Sequence, residues 1–251
     1  MIELSRLGIN LGGSAILQDV SFTIPDASLV AVMGPSGCGK STLLKALIGV
    51  IECSFGEIKQ DTHSPKPLTQ WNIAQDIFSL VPQSPLLLPW KTALENVLLA
   101  APADEPLESA RNRAVALLDR VELAGSEKLY PWQVSQGMAA RISLARTMML
   151  KSRVLLLDEP FAAIDATTRF NLQRWMLDLV DGLRQSAVLV THDPREAILL
   201  ADEVIVLNGR PATIRTRFKT PERSARRDPE WIFSAEAGGL EQHIRSALEK
   251  K

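Results

Sequence analysis

Charge of one sign is missing from this chain. Its 28 Lys and Arg balance 29 Asp and Glu, leaving a net charge of −1, whereas a protein built mainly to grip nucleic acid carries a basic excess. Long apolar runs are missing too. No stretch approaches the roughly 18 residues that a membrane-crossing helix needs. The opening residues MIELSRLGIN have none of the charged-then-apolar layout of a secretory leader. Cysteine is scarce: Cys38 and Cys53 are the two in the chain, and neither has metal-ligand neighbours. The expectation is two free thiols in a reducing cytosol. There is no internal repeat and no low-complexity segment. What remains is an ordinary globular balance, 46% hydrophobic and 23% charged over 251 residues. That is enough for one large domain, or one domain carrying an inserted subdomain.

Residues 1–24 alternate. Ile2 and Leu4, Ile9 and Leu11, then Val20, Phe22 and Ile24 fit half-buried strands with a turn at Gly12-Gly13. SLVAVMG is a continuous apolar run ending at Gly34, as in a strand buried on both faces. STLLKALIGV follows with Leu43, Leu44, Leu47 and Ile48 at helical spacing. Residues 84–150 are rich in Leu, Ala, Arg and Glu and read as several helices; Ala110, Ala114, Leu117, Leu118 and Val121 make one stripe. Strand-type runs return as VLLLD, AVLVTHD and EVIVLNG, with helix-like segments between them. Such alternation indicates a parallel sheet covered on both faces, with a helical insertion. The segment RTRFKTPERSARRDPE reads as a basic, solvated connector, and LEQHIRSALEK as a short amphipathic helix.

The chemistry concentrates at strand ends. GPSGCGKST, Gly34 to Thr42, matches G-x-x-x-x-G-K-[ST] between a strand and a helix. Its glycines let backbone N–H groups wrap phosphate oxygens, Lys40 supplies a point charge, and the Ser41 hydroxyl can ligate Mg²⁺. The helix that starts near Gly39 adds its positive end. VLLLDEP delivers Asp158 and Glu159 at a strand end; beside a phosphate loop the first can hold Mg²⁺ and the second can polarise an attacking water. His192 closes AVLVTHD at the same sheet edge, where open α/β folds bind ligands. Gln83, after IFSLVP, is a candidate for Mg²⁺ or the attacking water. His63 and His243 have no such setting.

The order of phosphate loop, Gln83, Ser135-x-Gly137, Asp158-Glu159, Asp165 and His192 resembles the ATP-binding cassette (ABC) ATPases over roughly residues 1–210. The resemblance implies an α/β fold: a P-loop NTPase core with a parallel sheet, an N-terminal antiparallel β subdomain and an inserted α-helical subdomain. The core is placed at 1–83 and 154–214, the helical signature subdomain at 84–153, and the connector with its terminal helix at 215–251. It implies that Gly34, Pro35, Ser36, Gly37, Cys38, Gly39, Lys40, Ser41, Thr42 and Gln83 bind ATP, with Ser41, Gln83 and Asp158 around Mg²⁺. Glu159 and His192 are implied to be catalytic. Ser135, Gln136 and Gly137 form the signature turn, which meets the ATP of a second cassette in a head-to-tail pair; Asp165 lies in the D-loop crossing that interface.

SPLLLPWKTALENVLLA is similar to importer cassettes of the nitrate, sulfonate and taurine type. That likeness implies an ATP-hydrolysing subunit of a small-solute importer, peripheral on the inner face of the membrane. Its partners are permease subunits near Gln83 to Trp90, a cassette dimer, and a separate solute-binding protein; nucleic acid is not among them. The alternative is a non-transport or regulatory cassette with weak turnover. Two regions depart from the family pattern. The signature, usually Leu-Ser-Gly-Gly-Gln, is Val134-Ser135-Gln136-Gly137-Met138 here. At the adenine platform, where the family has an aromatic, this chain has Leu11. Cys38, beside Lys40 and a helix N-terminus, is expected to be a reactive thiolate.

Overall fold

Alternate residues of the same buried strands feed two separate cores, and that division organises the fold. The computed structural model of the chain describes residues 1–60, 77–162, 164, 166–183, 185–223 and 230–249. In chain order the strands are β1 (Ile2–Leu11), β2 (Ser14–Ile24), β3 (Leu29–Met33), β4 (Phe55–Gln60), β5 (Phe78–Val81), β6 (Val154–Asp158), β7 (Ser186–Val190), β8 (Glu203–Gly209) and β9 (Ala212–Lys219). The helices are α1 (Lys40–Leu47), α2 (Ala93–Leu98), α3 (Leu107–Arg120), α4 (Gln136–Met148), α5 (Ala166–Leu183), α6 (Pro194–Leu200) and α7 (Ala235–Glu249). Among the described residues the strands form one mixed sheet, β4-β1-β2-β9-β8-β3-β7-β6-β5.

The central strands β8, β3, β7, β6 and β5 run parallel. Leu29, Ala31 and Met33 of β3, with Leu155, Leu157, Ala187 and Leu189, pack with residues of α2 to α7. Val30 and Val32, with Val154, Leu156, Val188 and Val190, pack on Leu43, Leu44 and Leu47 of α1 and on β1 and β2. A strand buried on both faces is apolar throughout, which is why these segments read as continuous runs. β1 and β2 are an antiparallel hairpin joined by Gly12 and Gly13. The hairpin meets the rest of the sheet through a parallel pairing of Leu17 with Ala212.

The segment assigned to a solvated connector begins later than position 215. β9 continues to Lys219, antiparallel to β8, with Arg215, Arg217 and Lys219 exposed on alternate positions. Those basic residues are the solvent face of a strand whose other face carries Ala212, Ile214, Thr216 and Phe218. The terminal helix also starts earlier, at Ala235, and buries Ala237 and Ile244.

Between Gln83 and α2 the chain has no regular structure, and polar side chains hold it. Asn96, fully buried on α2, accepts from Leu88 N at 2.8 Å and donates to the carbonyls of Leu88, Lys91 and Thr92 at 3.0–3.2 Å. Arg146 of α4 donates to the carbonyls of Pro85 at 2.7 Å and Leu86 at 2.9 Å. Leu87 packs on the core, while Leu86 and Trp90 are 64% and 69% exposed. The segment is therefore fixed from beneath and apolar above. Asn96→Leu leaves the Leu88 amide and the Lys91 carbonyl without their partner, while the Leu88 and Thr92 carbonyls keep the backbone amides of Lys91 and residue 96. At about 1–3 kcal/mol for each buried group left unsatisfied, the loss is about 2–6 kcal/mol and the expected fall in Tm is roughly 4–20 °C. Thermal unfolding of the purified variant measures it, and an unchanged Tm would refute this role for Asn96.

Candidate functional site

β3 ends at Met33 and the chain turns at once into the glycine-rich loop. Gly37 (φ 75°) and Gly39 (φ 106°) occupy left-handed conformations that side-chain-bearing residues adopt only with strain. A Cβ on Gly34 would lie 2.7 Å from the Leu207 carbonyl, so no larger residue fits between β3 and β8. Pro35, Ser36 and Gly37 are exposed at the crest, and Lys40 is buried beneath them. Its Nζ donates to the carbonyls of Gly34 at 2.8 Å and Pro35 at 3.1 Å. α1 begins at Lys40 with Gly39 as N-cap, so no side chain caps its first amides. Unclaimed N–H groups and a helix N-terminus suit an anion. Thr42 follows in the first turn of that helix.

The carboxylates stand at the neighbouring strand ends. The Ser41 hydroxyl donates to Asp158 Oδ1 at 3.1 Å. Burial pushes the Asp158 carboxyl up, the Ser41 hydrogen bond pulls it down, and the Glu159 charge raises it. Glu159 itself has φ 46°, an uncommon conformation for a residue other than glycine. Its N–H donates to Val190 O at 2.9 Å. Its Oε2 lies 3.2 Å from His192 Nδ1 and 3.3 Å from Gln83 Nε2, which donates to it. Residues from the ends of β5, β6 and β7 thus meet at one carboxylate oxygen. No group of three or more His, Cys, Asp or Glu able to hold a metal occurs among the described residues. The Ser41–Asp158 pair instead suits Mg²⁺, a hard cation that keeps water and substrate phosphates among its ligands rather than an all-protein cage.

Ser135 is the N-cap of α4, and its Oγ accepts from Met138 N at 3.2 Å. That leaves the hydroxyl proton free to donate outward, beside the first amides of a thirteen-residue helix.

The chain matches the family described as ABC transporter over residues 17–162, more than half its length. It belongs to the ABC transporter family. The match is to the family's ATP-hydrolysing cassette. The cassette is 36% identical to a taurine import ATP-binding protein, TauB, of Yersinia pestis bv. Antiqua, covering 94% of both chains. It is 38% identical to an aliphatic sulfonates import ATP-binding protein, SsuB 1, of Pseudomonas aeruginosa, covering 88% of this chain and 87% of that one. Among solved structures it resembles a dimeric post-hydrolysis state of the ATP-binding cassette MJ0796 bound to ADP and Pi, with TM-score 0.74 and 26% identity. That alignment covers 88% of this chain and 100% of that one.

Against the family pattern, Gln136 is exposed at the first position of α4, with its side chain outside the helix packing, and Met138 is half-buried against the helical core. Leu11 closes β1 and is 41% exposed. In the same hairpin, Ile16 approaches the loop so closely that a Cβ on Gly39 would lie 2.8 Å from its Cγ2. Asp165 lies outside the described residues. Arg210, which sequence spacing did not single out, lies in the β8–β9 turn; its Nη2 is 3.4 Å from where a Gly37 Cβ would stand. Only the pairing of distant strands brings that cation to the loop.

The reading of Cys38 as a reactive thiolate is overturned. Its side chain faces the core and is 4% exposed. Burial pushes the thiol up, and the opposing charges of Lys40 and Arg210 do not compensate. Only its backbone can face a nucleotide. Burial also raises Cys53, which is less completely covered. Since thiolate and access both govern alkylation, iodoacetamide at neutral pH is expected to label Cys53 before Cys38. Mass spectrometry of the native protein over time checks the order, and faster labelling of Cys38 would restore the thiolate reading.

Proposed function

We propose that this cassette is the energy-coupling subunit of an importer of the taurine and sulfonate type, working as a head-to-tail pair. The observation that carries the reading is the meeting of Gln83, Glu159 and His192 at one oxygen, beside the Ser41–Asp158 pair. The relatives' names as import ATP-binding proteins support the transport role.

In this reading the loop from Gly34 to Thr42 holds the phosphates through its amides and Lys40, whose ammonium exchanges the Gly34 and Pro35 carbonyls for phosphate oxygens. Ser41, Asp158 and Gln83 would hold Mg²⁺, which when bound would neutralise charge on the phosphates. Glu159 accepts the proton of the attacking water, its carboxylate oxygen held by Gln83 and His192. His192 orients that carboxylate through Nδ1. Ser135 and the amides of Gln136 and Gly137 close on the terminal phosphate held by the other cassette, with Asp165 at the interface between the two. Leu11 and Ile16 offer apolar contact to the adenine.

The exposed Leu86 and Trp90 form the surface where a permease subunit docks. Arg146 links that surface to α4 and Asn96 links it to α2, so displacement there is passed to the Ser135 turn. No helix among the described residues is long and apolar enough to cross a membrane. The membrane path and the choice of solute therefore belong, in this proposal, to the permease and a separate binding protein, with the cassette held on the inner face.

Glu159→Gln keeps the shape of the side chain and removes its basicity. The expected result is a loss of hydrolysis of about 100-fold or more, with MgATP binding retained. Phosphate release and equilibrium binding measure the two separately. Wild-type turnover in this variant would remove Glu159 from the role.

A further inference from the structure

Glu196 of α6 is a buried carboxylate, 5% exposed, and no step above uses it. Gln173 Nε2 donates to its Oε1 at 3.1 Å, and Thr191 Oγ1 donates to its Oε2 at 2.5 Å. Burial pushes its pKa up while the Thr191 hydrogen bond opposes that. A charge in this place is costly even when paired, and apolar packing of the same volume often serves stability as well. Stability alone therefore does not account for a carboxylate here.

Its contacts lead to the reacting centre. Thr191 lies between Val190, whose carbonyl accepts from Glu159 N, and His192, whose Nδ1 meets the Glu159 carboxylate. A threonine hydroxyl rotates to suit its partners. With its proton held by Glu196, the Thr191 oxygen accepts from Asp193 N at 3.1 Å. Asp193 Oδ1 accepts in turn from Arg195 N at 2.9 Å and caps α6, the helix that carries Glu196. The ring Thr191–Asp193–α6–Glu196 fixes the backbone on both sides of His192, whose side chain is 63% exposed and meets Glu159. On the far side, Gln173 belongs to α5, and Arg169 lies one turn earlier on the same face. Arg169 donates to Ile164 O at 2.8 Å, and its charge acts on Glu196.

We propose that Glu196 is a positioning residue: through Thr191 it sets His192 against Glu159, and through Gln173 and Arg169 it ties that setting to the chain at Ile164. Ile164 immediately precedes the position assigned to the cassette interface, so the buried carboxylate joins the interface to the hydrolytic centre. The inference rests on the proposed roles of His192 and Glu159.

The test is a double-mutant cycle in the full chain, because a residue acting through His192 has no further effect once His192 is gone. Thr191→Val keeps shape and removes the hydroxyl. Its expected effect is a fall in kcat of about tenfold, with ATP affinity within about twofold of wild type. Thr191→Ser restores the rate. In a His192→Ala background, Thr191→Val changes the residual single-turnover rate by less than about twofold. Equal fold-losses in both backgrounds, or wild-type kcat in Thr191→Val, would overturn the positioning role while leaving the hydrolytic centre intact. Wild-type turnover in His192→Ala would instead remove the reading of His192 on which the proposal stands. If Thr191→Val does not fold, Gln173→Met goes through the same cycle against the same two outcomes.

Discussion

Adjacent parallel strands end at one level, and the site depends on that alignment. Val32 of β3 pairs with Val190 of β7, and Val190 pairs with Asp158 of β6. The residue after each strand end is therefore thrown to the same edge: the loop at Gly34, Glu159, and the Thr191–His192 turn. Side chains alternate along a strand with period two. A slip of one residue between β6 and β7 would carry Asp158 away from Ser41 and turn Leu155 and Leu157 out of their core. The two cores that lock the register are thus also what aligns the chemistry.

In the proposed function that edge supplies only half of the hydrolytic site. Its anion-binding loop and carboxylates lie together, but the Ser135 turn caps its own helix and presents its proton and amides outward. In the proposed pair, the second copy provides this surface. The apolar segment at Leu86 and Trp90 is attached by Arg146 to α4, which Ser135 begins. In the same proposal docking and closure share one rigid element, in keeping with coupling carried by packed secondary structure.

Much of this was legible in the sequence because the features are local. The G-x-x-x-x-G-K-S loop, the apolar strand runs and the stripe on α3 each report on neighbours within a few residues. What was not legible depends on distant pairing or on orientation. The basic run at Arg215 to Lys219 looked like a connector because a strand's solvent face can be as charged as a linker. Cys38 looked reactive because its sequence neighbours are Lys40 and a helix start, yet the loop turns its side chain into the core. Arg210 reaches Gly37 only across the β8–β3 pairing. The left-handed Glu159 has no compositional signal, and Glu196 reads as one more polar residue on a short helix. Leu11 in place of an aromatic was visible from the start, while Ile16 beneath Gly39 came only with the fold.

The central claim is that a complete hydrolytic site needs the phosphate loop of one copy and the Ser135 turn of another. Mixing two inactive variants tests it most directly. Lys40→Met disables the loop and spares the turn; Ser135→Arg does the reverse. In a head-to-tail pair, a mixed dimer contains one fully disabled site and one intact site. Phosphate release from an equal mixture should therefore rise well above either variant alone, toward about a quarter of the wild-type rate when pairing is random and sites act independently. A mixture no faster than its two components would contradict the shared site.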